Sequence, residues 1–320
     1  MPPLPPVGEG WGEGLRPVSP GVPPLTRSLS PTGARAPRRT LLEYLTGVLE
    51  VTLVLLGLVV GCARSPTSDP GKAELLRQIR EAYLFDIEVA GLERLSVPKI
   101  VARLDPDTRL VERRRVSLDF IRGLEPEGSV VAVRELGGGR GYLRLRFFGR
   151  RTLEDVRKAL NGFASSLCAL IIDLRDNAGG SFEQALRLAE VFLPPGAPLA
   201  IYEDRKERTL LYATGTAAPR QERLMLLINA GTASSAELFA GVLRWHHRAE
   251  LSGSPSAGKR TVQHVVRLDQ DHLLFLTTGR FLAPEGSPFG VNGLTPDRVY
   301  EGDDTASLMA PCADTTPPER

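Results

Sequence analysis

Ser234, Lys259 and Gln263 stand at separations of 25 and four residues. A serine hydroxyl attacks a carbonyl only when a base removes its proton, and a lysine amine can be that base when desolvation lowers its pKa toward neutrality. Lys259 follows Ser256-Ala257-Gly258, small residues that let the backbone approach and leave the ammonium few hydration partners. On a strand starting at Lys259, the period of two puts Lys259, Thr261 and Gln263 on one face, so Gln263 can hydrogen-bond and orient the amine. The four histidines fit that task poorly. His246 and His247 end a helical stretch beside Trp245, His264 lies on the opposite strand face from Gln263, and His272 is in a turn. Each residue also has a plainer role: Ser234-Ser235-Ala236-Glu237 is a capping box, Lys259 could be a solvated lysine, and Gln263 an exposed strand residue.

The elements that must position these residues alternate. After a helical lead-in (Leu75, Ile79, Ala82 and Tyr83 at helical spacing, then a helix start at Ser96-Val97-Pro98), the pattern turns to a β-hairpin, Val130–Leu136 and Tyr142–Phe148, around Gly137-Gly138-Gly139-Arg140. These glycines lack GxGxxG spacing and open no helix, which excludes a nucleotide loop. A helix (Leu153–Phe163), a buried strand (Leu167–Leu174), a helix capped by Ser181 and Gln184, a hairpin around Asp204–Glu207, a strand (Leu224–Ile228) and a helix (Ser235–Trp245) follow, with strands near Thr261–Leu268 and Leu273–Phe281. The alternation predicts an α/β fold with mostly parallel pairing and inserted hairpins. Two strand-to-helix turns, Asp173–Gly180 and Asn229–Ser235, would then aim backbone N–H groups into one crevice, where a developing oxyanion could be held beside the Ser234 hydroxyl.

The chain has 320 residues, a formal charge of +2 and no basic run interleaved with aromatics, so nucleic acid is not an indicated partner. Three cysteines without a CxxC pair indicate neither zinc nor a thioredoxin-like motif. Cys168, in an apolar run, is most simply a buried thiol, and Cys312 sits in a polar tail; nothing in the sequence supports a bridge between them. Residues 1–40, rich in Pro and Gly, are expected to be disordered. Residues 41–62, with arginines at 35, 38 and 39 just ahead of them, carry the layout of a secretory signal: a charged start, the apolar run Val51–Val60, then small residues. A Ser/Pro/Gly linker (63–71), a helical subdomain (72–128), a core (129–303) and a polar tail (304–320) complete the expected organisation.

Val59-Val60-Gly61-Cys62 resembles the lipobox of bacterial lipoproteins, which would make Cys62 the lipid-bearing first residue of the mature chain; the alternative is a single uncleaved membrane anchor, and either places the body at the cell envelope, on the periplasmic or extracytoplasmic face. From Gly141 to Asp297 the sequence resembles the C-terminal processing (tail-specific) peptidases. The resemblance rests on Ala169-Leu-Ile-Ile-Asp-Leu-Arg-Asp-Asn-Ala-Gly-Gly180, Gly231-Thr-Ala-Ser-Ser-Ala-Glu237, Gly258-Lys-Arg-Thr-Val-Gln263, Thr277–Pro284 and Gly293-Leu-Thr-Pro-Asp297. Leu104-Asp-Pro-Asp-Thr108 is similar to a motif of that family's N-terminal helical region. The resemblance implies a crotonase-like β-spiral peptidase core with a small N-terminal helical subdomain. It further implies Ser234 as nucleophile, Lys259 as base, Gln263 as its orienter, the amides of Ser235 and of Gly179 or Gly180 as oxyanion hole, a protein or peptide substrate and no metal or cofactor. Only Val111–Gly139 is available for the PDZ module that most members carry, so that module is expected to be absent. Ser235 stands where alanine is common, and Arg260 where glycine is common. A non-catalytic peptide- or ligand-binding lipoprotein on the same fold is the alternative reading.

Overall fold

The computed structural model describes residues 38–40, 70–116, 128–163, 167–290 and 292–312. The apolar run Ala169–Asp173 (β5) is buried throughout, and Arg223–Ile228 (β8) is buried from its second residue on, because both are central strands of a parallel sheet covered on two faces. The order is β12 (Arg298–Val299), β9 (Ala249–Gly253), β8, β5, β4 (Arg140–Leu145) and β3 (Val130–Gly137). Pairing is parallel from β12 to β4, and only the edge strand β3 runs antiparallel, as the hairpin requires. Ile172 pairs with Leu143 on one side and with Leu226 on the other, so the strands' carboxyl ends align.

Helices α3 (Thr152–Asn161), α4 (Phe182–Ala189) and α5 (Ser235–Trp245) contribute Val156, Leu186 and Phe239 to the main core, with Leu143, Ile172 and Leu226 of the sheet. The capping of α4 is as the sequence predicts in its serine half: Ser181 Oγ accepts the Gln184 amide at 3.2 Å. The Gln184 side chain instead accepts the Leu153 amide and ties α4 to α3.

A second sheet departs from the expectation of mostly parallel pairing. Its order is β1 (Arg38–Thr40), β7 (Arg208–Tyr212), β6 (Pro198–Asp204), β11 (His272–Leu282) and β10 (Thr261–Arg267), with β2 (Arg109–Glu112) also on β11. All its pairs except β1–β7 are antiparallel. The eleven-residue β11 is long enough for β2 to take its first four residues and β6 its last four. The lead-in helices α1 (Pro70–Ala82) and α2 (Val97–Val101) share a core with this sheet, in which Leu75, Ile79 and Ile100 meet Leu274 and Leu276. β1 lies at the end of the segment expected to be disordered; the rest of that leader and the signal segment with Cys62 lie outside the described residues. None of the described helices is long and apolar enough to cross a membrane.

The tail differs from its polar composition. Leu308 and Met309 are buried against Tyr142, Ile171, Met225 and Leu227, on the face of the parallel sheet opposite the helices. Arg140 donates to the carbonyls of Ala306 and Met309, and the Cys312 amide to that of Gly138. This docking brings Cys312 to Cys168 in a disulfide, with Cα atoms 6.2 Å apart across 144 residues, correcting the expectation of a free buried thiol. Two apolar residues in a polar stretch carry too weak a periodic signal to announce a buried segment.

Candidate active site

The turns after β5 and β8 are cross-linked. Asp176 and Asn229 exchange reciprocal hydrogen bonds of 2.9 Å, the Ala233 amide donates to the Asn177 carbonyl at 2.9 Å, and the buried Thr232 hydroxyl donates to the Leu174 carbonyl at 2.8 Å. Asn177, also buried, donates from Nδ2 to the Leu145 carbonyl at 2.9 Å. Beneath the first turn, fully buried Asp173 receives the Arg175 guanidinium at 2.7 Å and the Tyr142 hydroxyl at 2.8 Å. The bond to Asp173 raises the Arg175 pKa further, and burial, followed by the same carboxylate, pushes the Tyr142 phenol up.

These links hold Ser234 at φ 54° and ψ −120°, immediately before α5. A residue with a Cβ pays about 1–3 kcal/mol for such a conformation, which persists only where its surroundings over-determine it. Plain helix capping needs no such strain, since a capping serine ordinarily sits in the β region.

Gly179 and Gly180 are glycines for steric reasons. At φ 99°, a Cβ on Gly179 would lie 2.9 Å from Ser234 Cβ and from the Ser235 nitrogen; at φ 135°, one on Gly180 would fall 2.2 Å from the Phe148 carbonyl oxygen. Phe148 clamps the same turn: its amide donates to the Gly179 carbonyl at 2.8 Å, and its carbonyl accepts the Ser181 amide at 2.7 Å. Gly179's own amide is committed to Asn177 Oδ1 at 2.9 Å. Among the described residues the amides of Gly180 and Ser235 have no partner, so of the two glycine amides considered it is Gly180's that is available. The Ser235 hydroxyl, present where alanine is common, donates to the Gly180 carbonyl at 2.7 Å and pins that peptide.

The lysine segment begins differently from the sequence expectation. β10 starts at Thr261, two residues after Lys259, and its register shifts between Val262 and Gln263. The strand does not start at Lys259 because the amides of Gly258 and Lys259 donate to the Glu237 carboxylate, at 2.7 and 2.8 Å, and not to a neighbouring strand. The irregularity interrupts the simple alternation, yet Gln263 and Thr261 still meet, Nε2 donating to Oγ1 at 2.7 Å. Half-buried Lys259 has no ion pair or side-chain hydrogen bond among the described residues.

Glu237 is the residue whose role exceeds what the sequence conveys. Its carboxylate, 7% exposed, accepts from four donors: the Ser234 amide at 2.9 Å, the Gly258 and Lys259 amides, and the Ser256 hydroxyl at 2.5 Å. It is the acidic member of the expected capping box, and it also ties the backbone of Ser234 to that of Lys259. The Ser256 hydroxyl in turn accepts the Leu294 amide at 2.7 Å. Glu237 at the third helical position could be read from the sequence; its second set of partners, 21 and 22 residues away, could not.

Ser234, Ser235, Gly179, Gly180, Lys259 and Gln263 all line one cavity of about 660 Å³. Phe147, Phe148, Phe182, Phe275, Phe281 and Phe289 give it an aromatic wall, and Arg109 and Arg260 add positive charge. Of the four histidines only His264 lines it, exposed on β10; His246 bonds the Pro198 carbonyl and His272 bonds Asp269. The cavity offers a hydroxyl on a strained backbone, an amine, an amide side chain and, among the described residues, two unpaired backbone N–H groups, the parts that acyl transfer uses.

The two-sheet α/β arrangement is a crotonase-like core. The chain belongs to Peptidase family S41, whose sequence model matches residues 139–300. It is 32% identical over 208 residues to the chloroplastic carboxyl-terminal-processing peptidase 2 of Arabidopsis thaliana, covering 63% of this chain and 40% of that one. It is 33% identical over 170 residues to the carboxy-terminal-processing protease of Bartonella bacilliformis, covering 51% and 39%. The chain therefore spans about two fifths of the length of these curated relatives. A solved structure of a lipoprotein from Streptococcus agalactiae shares the fold, at a TM-score of 0.61 and 17% identity over 78% of this chain and 96% of that one.

Proposed function

We propose that this protein is an exported serine endopeptidase acting on protein substrates through an acyl-enzyme. Ser234 Oγ attacks the scissile carbonyl carbon while Lys259 takes its proton. The tetrahedral oxyanion is held by the Ser235 and Gly180 amides. Lys259 returns the proton to the leaving amine, the C–N bond breaks, and water, deprotonated by the same amine, releases the acyl group. Gln263 orients Lys259. The single observation that carries this reading is the strained backbone of Ser234, held against Gly179 on the cavity that Gly180 and Lys259 also line. The aromatic wall suits apolar side chains of an extended peptide.

Full-length protein incubated with an unfolded protein is expected to generate fragments, and Ser234→Ala and Lys259→Ala to lower the rate by at least about 10³-fold. Equal fragmentation by all three, or none by the parent, overturns the reading; an inactive parent that still binds peptides would favour the non-catalytic alternative. Export is supported by the Cys168–Cys312 disulfide, a bond of oxidising compartments, and by the signal-like run ahead of Cys62. Membrane attachment through a lipid on Cys62 predicts palmitate labelling that Cys62→Ala abolishes; unchanged labelling removes the lipoprotein assignment.

A further inference from the structure

The helical lead-in touches the cavity's base side through a chain of side-chain hydrogen bonds. At its start, the Asp105–Thr108 turn is held by the Asp107 amide on Asp105 Oδ1 at 3.0 Å, the Thr108 hydroxyl on Asp105 Oδ2 at 2.5 Å, and the Asp105 amide on the hydroxyl of buried Tyr83 at 2.8 Å. This turn projects two carboxylates onto β10 and β11. The Thr261 hydroxyl donates to Asp107 Oδ2, and the Thr277 hydroxyl to Asp105 Oδ1 at 2.9 Å. Gln263 lies opposite Thr277 in the β10–β11 register, and its Nε2 donates to Thr261 Oγ1 at 2.7 Å and, at a longer 3.5 Å, to Thr277 Oγ1.

Counting protons decides which way the Gln263 amide faces. A threonine hydroxyl has one proton and two lone pairs, and a carboxylate only accepts. Both hydroxyl protons are spent on Asp105 and Asp107, so each threonine can only accept from Gln263. The NH₂ end of the amide must face them, because the reversed amide would set a carbonyl oxygen against two oxygens with no proton between them. The Gln263 carbonyl oxygen is then the end left for the cavity, where an ammonium donor such as Lys259 needs an acceptor.

We propose that Asp105 and Asp107 are positioning residues: acting through Thr277 and Thr261, they fix the orientation of the Gln263 amide, which makes the lead-in part of the apparatus that aligns the base. This inference rests on the Ser234/Lys259 reading above. It differs from a packing role for the lead-in, which its apolar core with β11 would fulfil without either carboxylate.

The test measures kcat and KM of the full chain on a fluorescein-labelled unfolded protein for the parent, Thr261→Val, Thr261→Ser and Asp107→Asn. Thr261→Val keeps the shape and removes the acceptor. Its kcat is expected to fall roughly tenfold or more, a typical penalty for misaligned catalytic groups, with KM within about twofold. Thr261→Ser, which restores one proton and two lone pairs, is expected to recover most of the lost kcat. Asp107→Asn can donate to Thr261 and free its proton toward Gln263, so it should lose kcat in the same direction. An active parent with unchanged kcat in Thr261→Val and Asp107→Asn, or an equal loss in Thr261→Ser, overturns the inference and leaves the peptidase reading standing. An inactive parent removes that reading and this inference with it. If Thr261→Val fails to fold, judged by thermal melting, Asp107→Asn decides alone: a lower kcat at unchanged KM supports the inference and an unchanged kcat overturns it.

Discussion

The side of the cavity that carries Ser234 sits on parallel strands buried on both faces, and its turns are shaped by two glycines that have no room for a Cβ. The side that carries Gln263, and Lys259 just ahead of it, is built on β10, an edge strand with an irregular register and half-buried to exposed residues, placed by side-chain hydrogen bonds from Glu237 and the lead-in. Close packing specifies by volume: any added atom collides, whatever its chemistry. Hydrogen bonding specifies by proton count, so a change of shape matters less than a change of donor into acceptor. The two sides should therefore fail under different substitutions.

Among substitutions outside the nucleophile and base, Gly180→Ala should produce the largest effect. Its Cβ would meet the Phe148 carbonyl oxygen at 2.2 Å in a backbone conformation that L residues rarely adopt, costing at least about 2–4 kcal/mol and displacing the candidate oxyanion amide, with activity down by about 10²–10³-fold. Urea unfolding and fragment release check both figures. A near-neutral result would remove the volume argument from the nucleophile side. Glu237→Gln comes next, because it links the two sides. One acceptor oxygen becomes an NH₂ group facing donors, which should cost about 2–3 kcal/mol and lower activity about tenfold to a hundredfold, measured on the same two assays.

The disulfide tests whether the face behind the parallel sheet matters to the cavity. Cys312→Ser should lower stability by about 2–4 kcal/mol while leaving the rate on an unfolded substrate within about twofold, read by thermal melting and fragment release at 25 °C. A large loss of rate would mean that tail docking helps to shape the site. The smallest effect concerns pH. Burial holds the His246 pKa below its ordinary value, with the Pro198 carbonyl opposing. The unfolded chain therefore takes up this proton first as pH falls below about 6.5, so that increment of stability is present at neutral pH and lost on acidification. The unfolding free energy from urea titration should drop less between pH 7.5 and 5.5 in His246→Gln than in the parent.

Much of the frame is legible in the residue order. Helix α5 begins and ends where its period and capping signal place it, and β5 and β8 are recognisable as uninterrupted apolar runs. The spacing of Ser234, Lys259 and Gln263 also anticipates three residues that share a cavity. β9 escapes notice because Ala-Glu-Leu-Ser-Gly has no β-branched residue and becomes a strand only by pairing between β8 and β12.

What periodicity and local spacing convey is which groups are present and which element each belongs to, since helices, strands and caps are built from neighbours in the chain. The division into two sheets, the burial of Leu308 and Met309, the Cys168–Cys312 link, the choice of Gly180 over Gly179 as free donor and the four bonds to Glu237 depend on partners far apart in sequence. Whether an amide is free, or which way Gln263 faces, follows from where distant donors and acceptors come to rest, and a hydrogen bond has meaning only once both ends are in place.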